Sequence, residues 1–338
     1  MRILYIGHYM PGCTTRMRGE YLQELLMPAE FFVVNTDIPI YNTPRLSRSF
    51  GWRYYRGPLI NNVNKYITRE LKEQGDFDII WIDKGVFIDP VLLAGIKKKR
   101  TILIHFTPDT AFAGNQSKLF EEALPLYDYC ITTKSFELDN YKKAGAHEVL
   151  YCTQGYDPKL HRIYNDFSEK KGVVFIGQNE AWREEAIARL TDKKILVKLS
   201  GAGWGRYINK HKSNSNLNWL GNGLFHEAYA RTVSGSLIGL GLLSKKFPEK
   251  HTTRTFEIPA CGTALAAEDN EETRQFYTGD EVLFFNGLDE MTEKIEYYLH
   301  HPDLLMALTA RGHNKVLNGT FDYPGILKNL LAKMDIAV

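Results

Sequence analysis

Long apolar runs are missing from this chain. No stretch approaches the roughly 20 apolar residues of a membrane-spanning helix. The opening MRILYIGHYM reads as a first β-strand rather than a secretion signal, which needs a longer apolar region and a small-residue cleavage site. A cytoplasmic location is the expectation. Cysteine is scarce: Cys13, Cys130, Cys152 and Cys261 show no CxxC spacing, so buried thiols are expected in preference to disulfides or a metal site. An excess of one charge is missing too. With 42 basic and 40 acidic side chains the net charge is +2, which counts against nucleic acid as a partner, a local basic patch aside. The dinucleotide fingerprint is absent: Gly7, Gly12 and Gly19 of GHYMPGCTTRMRG are too widely spaced for that turn, and a dehydrogenase is disfavoured. Two glycosylation-type tripeptides, at Asn115 and Asn318, carry no weight without secretion.

What is present is an alternation of apolar strands with helical patterns over 338 residues, the signature of an α/β protein with parallel sheets and room for two domains. The first half reads as one Rossmann-like domain of six strands, from Arg2 to Tyr151. Ligands of such sheets bind at the carboxyl ends of strands, which nominates His8, Asp83 and Lys84, His105 and Asp109, and Thr132 to Lys134. Asp83 and Lys84 read equally well as an ion pair. Gly155 to Lys171 is polar and reads as a linker, after which GVVFI (172–176), Gly177 and a helix from Ala181 open a second strand–turn–helix unit. The expected boundaries are 1–165, 166–320 and a terminal helix, 321–338, crossing back onto the first domain. Small residues after the next strands, Gly201, Gly203 and Gly221, allow close approach of a ligand.

The most informative stretch is EKHTTRTFEIPACGTALAAE, Glu249 to Glu268. A hydroxyl-rich turn leads into a short helix, whose unpaired N–H groups and dipole favour an anion such as a diphosphate. Thr252 and Thr253 are placed to cap that helix and to donate to phosphate, and Arg254 adds a fixed positive charge. Glu257, one turn on, can accept from two vicinal hydroxyls of a ribose or hexose, with Glu249 approaching from the preceding loop. Pro259 limits the helix, because its ring opposes the Thr255 carbonyl; the helix is expected to begin late or to bend.

TTRTFEIPACG, the paired glutamates and NEETRQFYTGDEVLFF together resemble the C-terminal half of GT-B glycosyltransferases, in particular the CgeB-like spore-maturation group and the related "group 1" retaining enzymes. The resemblance implies two Rossmann-like domains with parallel sheets facing a central cleft. It implies a donor site of Gly177, Gln178, Arg183, Gly201, Gly203, Gly221, Thr252, Thr253, Arg254 and Glu257. Gln178 and Arg183 stand where group 1 enzymes often carry an arginine and a lysine on the diphosphate. It further implies Glu257 on the ribose and Glu249 on the transferred sugar. An acceptor side of His8, Gly12, Thr14, Thr15, Arg16 and Lys84 follows, with Glu249, His105 and Asp109 as the catalytic candidates. No Asp-x-Asp pair stands at a strand end, so neither a metal nor another cofactor is expected. The reaction implied is transfer from a nucleotide-sugar to a glycan, lipid-linked or other small acceptor, retaining and metal-independent, with peripheral membrane association left open. A nucleotide-sugar epimerase, a phosphorylase on the same fold and a non-catalytic binding protein are the rival readings.

Overall fold

The computed structural model describes residues 1–114 and 116–338; Asn115, which begins one of the two tripeptides, lies outside the described residues. The chain divides into two compact units, 1–153 with 324–338, and 154–323.

The first unit holds β1 (Arg2–Gly7), β2 (Glu30–Asn35), β3 (Ile79–Asp83), β4 (Ile102–Thr107), β5 (Tyr129–Thr132) and β6 (Glu148–Tyr151) in one parallel sheet of order β2-β1-β3-β4-β5-β6. Strands such as IIWID, buried along their whole length, form because a parallel sheet covered on both faces rewards continuous apolar sequence. The order reverses between β1 and β3, which makes their carboxyl ends the switch point of this sheet. Two short helices, Asp37–Asn42 and Arg45–Tyr54, follow β2.

The second unit holds β7 (Val173–Ile176), β8 (Val197–Ser200), β9 (Leu217–Trp219), β10 (Ile238–Gly241), β11 (Ala264–Glu268) and β12 (Leu283–Phe285), ordered β12-β11-β10-β7-β8-β9 and again parallel. This is the doubly wound dinucleotide-type order, with its switch point between β7 and β10. Successive residues of β11 go to opposite faces: Ala264 and Ala266 pack in one core, Leu265 and Ala267 in the other.

The segment expected to be a linker is instead part of the second unit. Tyr156 is buried in its core, and the Tyr164 and Asn165 N–H groups donate to Ser234 Oγ. The unit therefore begins near residue 154 rather than 166. Polarity misled here because the segment satisfies its backbone through side chains rather than water. The terminal helix, Tyr323–Lys333, groups with the first unit from residue 324 on. All four cysteines are free, Cys130 and Cys261 buried and Cys13 and Cys152 half-buried. Among the described residues, no helix is long and apolar enough to cross a membrane.

Candidate functional site

In the second unit, the carboxyl ends of β7 and β10 carry two arginines that converge on one carbonyl. Arg183, from the helix Ala181–Asp192, donates through Nη2 to Leu242 O at 3.0 Å and through Nη1 to Gln178 O at 2.9 Å. Arg254, from the helix Arg254–Ala260, donates to the same Leu242 O at 3.3 Å and to Ile176 O at 3.2 Å. Both side chains also lie over the Phe175 ring. Each buried Nε is left without a hydrogen-bond partner among the described residues. Such a donor is costly to bury unsatisfied. Burial, and then the neighbouring Arg254 charge, lower the pKa of Arg183; Glu180, Glu249 and Glu268 oppose them. The two guanidinium groups are thus held close together, with Arg183 also paired to Glu180 at 3.3 Å and both Nε donors unused among the described residues.

The loop that follows β10 is tied down from both sides. Glu180 accepts from Ser244 Oγ and the Lys245 N–H, and Glu268 accepts from the Leu243 N–H and pairs with Lys245. Neither Glu180 nor Glu268 stands out in sequence, since an acidic residue beginning a helix or ending a strand is commonplace.

The glycine candidates are brought together at the same edge. Gly201 has φ +141°, and a Cβ there would lie 1.9 Å from Gly177 O, so any side chain would force the β7 and β8 ends apart. Gly177 O accepts from the buried Trp204 indole, and Gly221 O accepts from the Gly201 N–H and Ser200 Oγ. Gly203 borders Asn179.

The helix expected to bind an anion through its terminus is corrected. It begins at Arg254 and has seven residues, and no side chain caps it. Thr255 Oγ1 accepts from the Thr252 N–H, and Thr252 Oγ1 is buried without a partner among the described residues. So short a helix sums few peptide dipoles, and the positive charge here comes from Arg183 and Arg254. Glu257 is almost buried and accepts from Tyr229 Oη at 2.7 Å. Burial and that carboxylate push the Tyr229 pKa well up, which keeps the hydroxyl a donor. His161 Nδ1 accepts from the Asp157 N–H, so Nε2 carries the proton and faces Glu257 Oε1 at 3.8 Å, too long for a hydrogen bond. His251 is fixed likewise: Nε2 accepts from the Gln154 N–H, leaving Nδ1–H to donate to Glu272 at 2.7 Å. Glu249 is half-buried and close enough to act on Arg183.

In the first unit, a pocket at the β1/β3 switch point is lined by Gly7, His8, Thr36, Asp83, Lys84 and Gly85, with apolar residues behind them. His8 Nδ1 lies 2.7 Å from Asp37 Oδ1, and Asp37 also accepts from the Tyr9 and Met10 N–H groups. Trp52, missed in the sequence, stacks on His8 with rings 6.5 Å apart. Lys84, at φ +71°, pairs with Asp109 at 2.6 Å. Burial works to raise the Asp109 pKa, and Lys84 overrides it and holds the carboxyl below its ordinary value.

Other first-unit candidates point elsewhere. His105 is buried among Phe120, Tyr127 and Tyr141, and burial lowers its pKa to about 3. Its position on β4 turns it into the core layer rather than toward the strand end, so the catalytic expectation for His105 is corrected. Thr15 turns inward to Asp83, while Arg16 is spent on an exposed pair with Glu20. The helix Thr14–Leu26 is capped by Cys13 Sγ, which accepts from the Arg16 N–H, while Thr14 is exposed and Gly12 takes φ +82°.

Comparison with known proteins agrees with this architecture. Residues 180–332 match the sequence profile of the family described as Glycosyl transferase-like. Curated protein sequences give no significant match. Among solved structures, sucrose-phosphate synthase from Thermosynechococcus elongatus superposes with a TM-score of 0.70 at 13% identity, covering 99% of this chain and 98% of that one. HepE of Anabaena in complex with UDP-glucose gives 0.67 at 14% identity, covering 99% of both chains. The α,α-trehalose 6-phosphate synthase from Burkholderia multivorans gives 0.65 at 12%, covering 99% and 98%. The whole chain thus has the GT-B fold, and residues 180–332 are similar in sequence to the glycosyl transferase-like family.

Proposed function

We propose that this protein is a glycosyltransferase that takes its sugar from a nucleoside diphosphate sugar and passes it to a hydroxyl of a glycan, lipid-linked or other small acceptor, with retention and without a metal ion. The observation that carries the reading is the convergence of Arg183 and Arg254 on Leu242 O at the β7/β10 switch point, each with a spare Nε donor. A nucleoside diphosphate is the leaving group that such a pair stabilises as its negative charge develops.

In this reading Glu257, oriented by Tyr229, takes the ribose hydroxyls, and Glu249 takes the transferred sugar. The family match of residues 180–332 covers all of these groups. That HepE was solved with UDP-glucose makes a UDP-hexose the first donor to try. Retention follows from the resemblance to group 1 enzymes, and no side chain is assigned as a nucleophile.

The test is a panel of UDP-, GDP-, dTDP-, ADP- and CMP-sugars, with EDTA present, read by thermal shift and release of free nucleotide. One donor should stabilise the protein and be slowly hydrolysed, and Glu257→Gln should weaken both effects. Silence across the panel in folded protein rejects the reading. Inversion in product NMR, or a requirement for added divalent cation, rejects the corresponding part of it.

A further inference from the structure

The segment between Asp37 and Glu70 contains no acidic residue and six basic ones: Arg45, Arg48, Arg53, Arg56, Lys65 and Arg69. In a chain of net charge +2, this is a marked local concentration. Asp37, at its edge, is buried and its carboxylate is committed to His8 and two backbone N–H groups. Arg69 pairs with Glu70. Arg45, Arg48, Arg53 and Arg56 make no ion pair among the described residues.

The same segment exposes Ile38, Tyr41, Leu46, Phe50 and Tyr54, with Leu46 at 85% and Tyr41 at 65%. Leu46, Phe50 and Tyr54 follow at intervals of four along the helix Arg45–Tyr54, so they form one stripe. The opposite side of that helix anchors it. Gly51 is buried so tightly that a Cβ would lie 2.5 Å from Leu59 Cβ, and Trp52 packs edge-on to Phe87 with centroids 4.6 Å apart. Arginines lie on the exposed rings: Arg48 over Tyr41 at 5.4 Å, and Arg56 over Phe50 at 5.8 Å and Tyr54 at 5.7 Å. A helix that is held on one face, apolar on the other and flanked by unpaired arginines has the composition of an element lying in a membrane interface.

We propose that the helices Asp37–Asn42 and Arg45–Tyr54 dock the first unit on an anionic lipid bilayer. Leu46 and the aromatic stripe enter the headgroup region, and the four arginines face lipid phosphates. Charge complementarity selects the anionic surface. The aliphatic chains of Leu46 and Ile38, which offer a nucleic acid neither stacking nor hydrogen bonds, favour a bilayer over a polyanion. The proposal rests on the first unit's own surface and is independent of the donor reading.

The test is co-sedimentation of the full chain with vesicles of phosphatidylcholine containing one third phosphatidylglycerol, against phosphatidylcholine alone. Binding is expected to the anionic vesicles only and to fall as salt is raised. Arg45→Gln with Arg53→Gln should lower partitioning roughly twenty-five-fold, at about five-fold per arginine. Leu46→Ser should lower it about ten-fold, with thermal unfolding unchanged in both variants. Failure of the wild type to sediment with anionic vesicles overturns the proposal, as does a Leu46→Ser variant that partitions like wild type. Tighter binding to a short random DNA duplex, insensitive to Leu46→Ser, would assign the patch to nucleic acid and overturn it also.

Discussion

Tyr277 donates its hydroxyl hydrogen to the carbonyl oxygen of Thr255 at 2.9 Å. That carbonyl is the one Pro259, four residues on and lacking an N–H, cannot serve. Pro259 lies inside the helix Arg254–Ala260, and Tyr277, itself buried, supplies the missing donor. Tyr277→Phe should therefore lower unfolding free energy by roughly 1–2 kcal/mol, the cost of an unsatisfied buried acceptor, read by urea denaturation. In the Pro259→Ala background the same change should cost less, because an alanine in the proline's place brings its own N–H. Equal costs in the two backgrounds would separate Tyr277 from the proline.

Arg183 and Arg254 make a second prediction, which rests on the proposed donor site. Arg254→Met should raise the Kd of the donor nucleotide by roughly ten- to a hundred-fold, the worth of a charge-assisted hydrogen bond, measured by calorimetry. Arg183 is the more buried and also pairs with Glu180 at 3.3 Å, so Arg183→Met should lose stability as well as affinity. Nucleotide affinity unaffected by Arg254→Met, in protein that still binds nucleotide, would place the diphosphate elsewhere.

His105 predicts a pH dependence of stability. Its folded-state pKa is lowered by burial to about 3, against an ordinary 6.5, with a smaller opposing effect from the Lys84 backbone. As pH falls from 6.5 the unfolded chain takes up a proton that the folded chain does not. The contribution is therefore fully present above 6.5 and is progressively lost toward 3. At pH 5 the loss is about 2 kcal/mol. His105→Phe should remove this part of the acid limb when wild type and variant are compared by urea denaturation between pH 7 and pH 5. Parallel curves would show that His105 gains a proton in the folded state.

Much of this was legible in sequence, for physical reasons that differ by element. β3 and β7 show as apolar runs because both faces of a parallel sheet are covered. Arg183 and Arg254 stand out because one opens a helix that follows a strand and a glycine turn, and a hydroxyl-rich turn precedes the other. His105 misled because sequence gives the strand but not the face, and a histidine near a strand end can turn either way. Trp52 was missed because the apolar spacing of its helix, Leu46, Phe50 and Tyr54, marks the exposed face, while the inward-packed Gly51 and Trp52 stand side by side and show no period. Tyr229 and Glu257 stand 28 positions apart, beyond any local pattern.

Arg18 and Asp83 form an ion pair closed off from solvent, each side chain 1% exposed. Arg18 Nε meets Asp83 Oδ2 at 2.8 Å and Nη2 meets Oδ1 at 3.0 Å, while Tyr5 Oη and Thr15 Oγ1 donate to the same carboxylate. The guanidinium also lies over the Phe106 ring at 4.5 Å. The pair fixes the end of β3, directly before Lys84 turns to positive φ at the pocket. Removing one partner leaves the other charge buried and uncompensated, so Asp83→Asn should destabilise by about 3–5 kcal/mol. The joint replacement Arg18→Met with Asp83→Leu removes both charges and should recover most of that loss, a coupling that a double-mutant cycle in urea would read. A double variant less stable than Asp83→Asn would mean that the surrounding hydroxyls, rather than the charge pair, hold this corner of the first unit together.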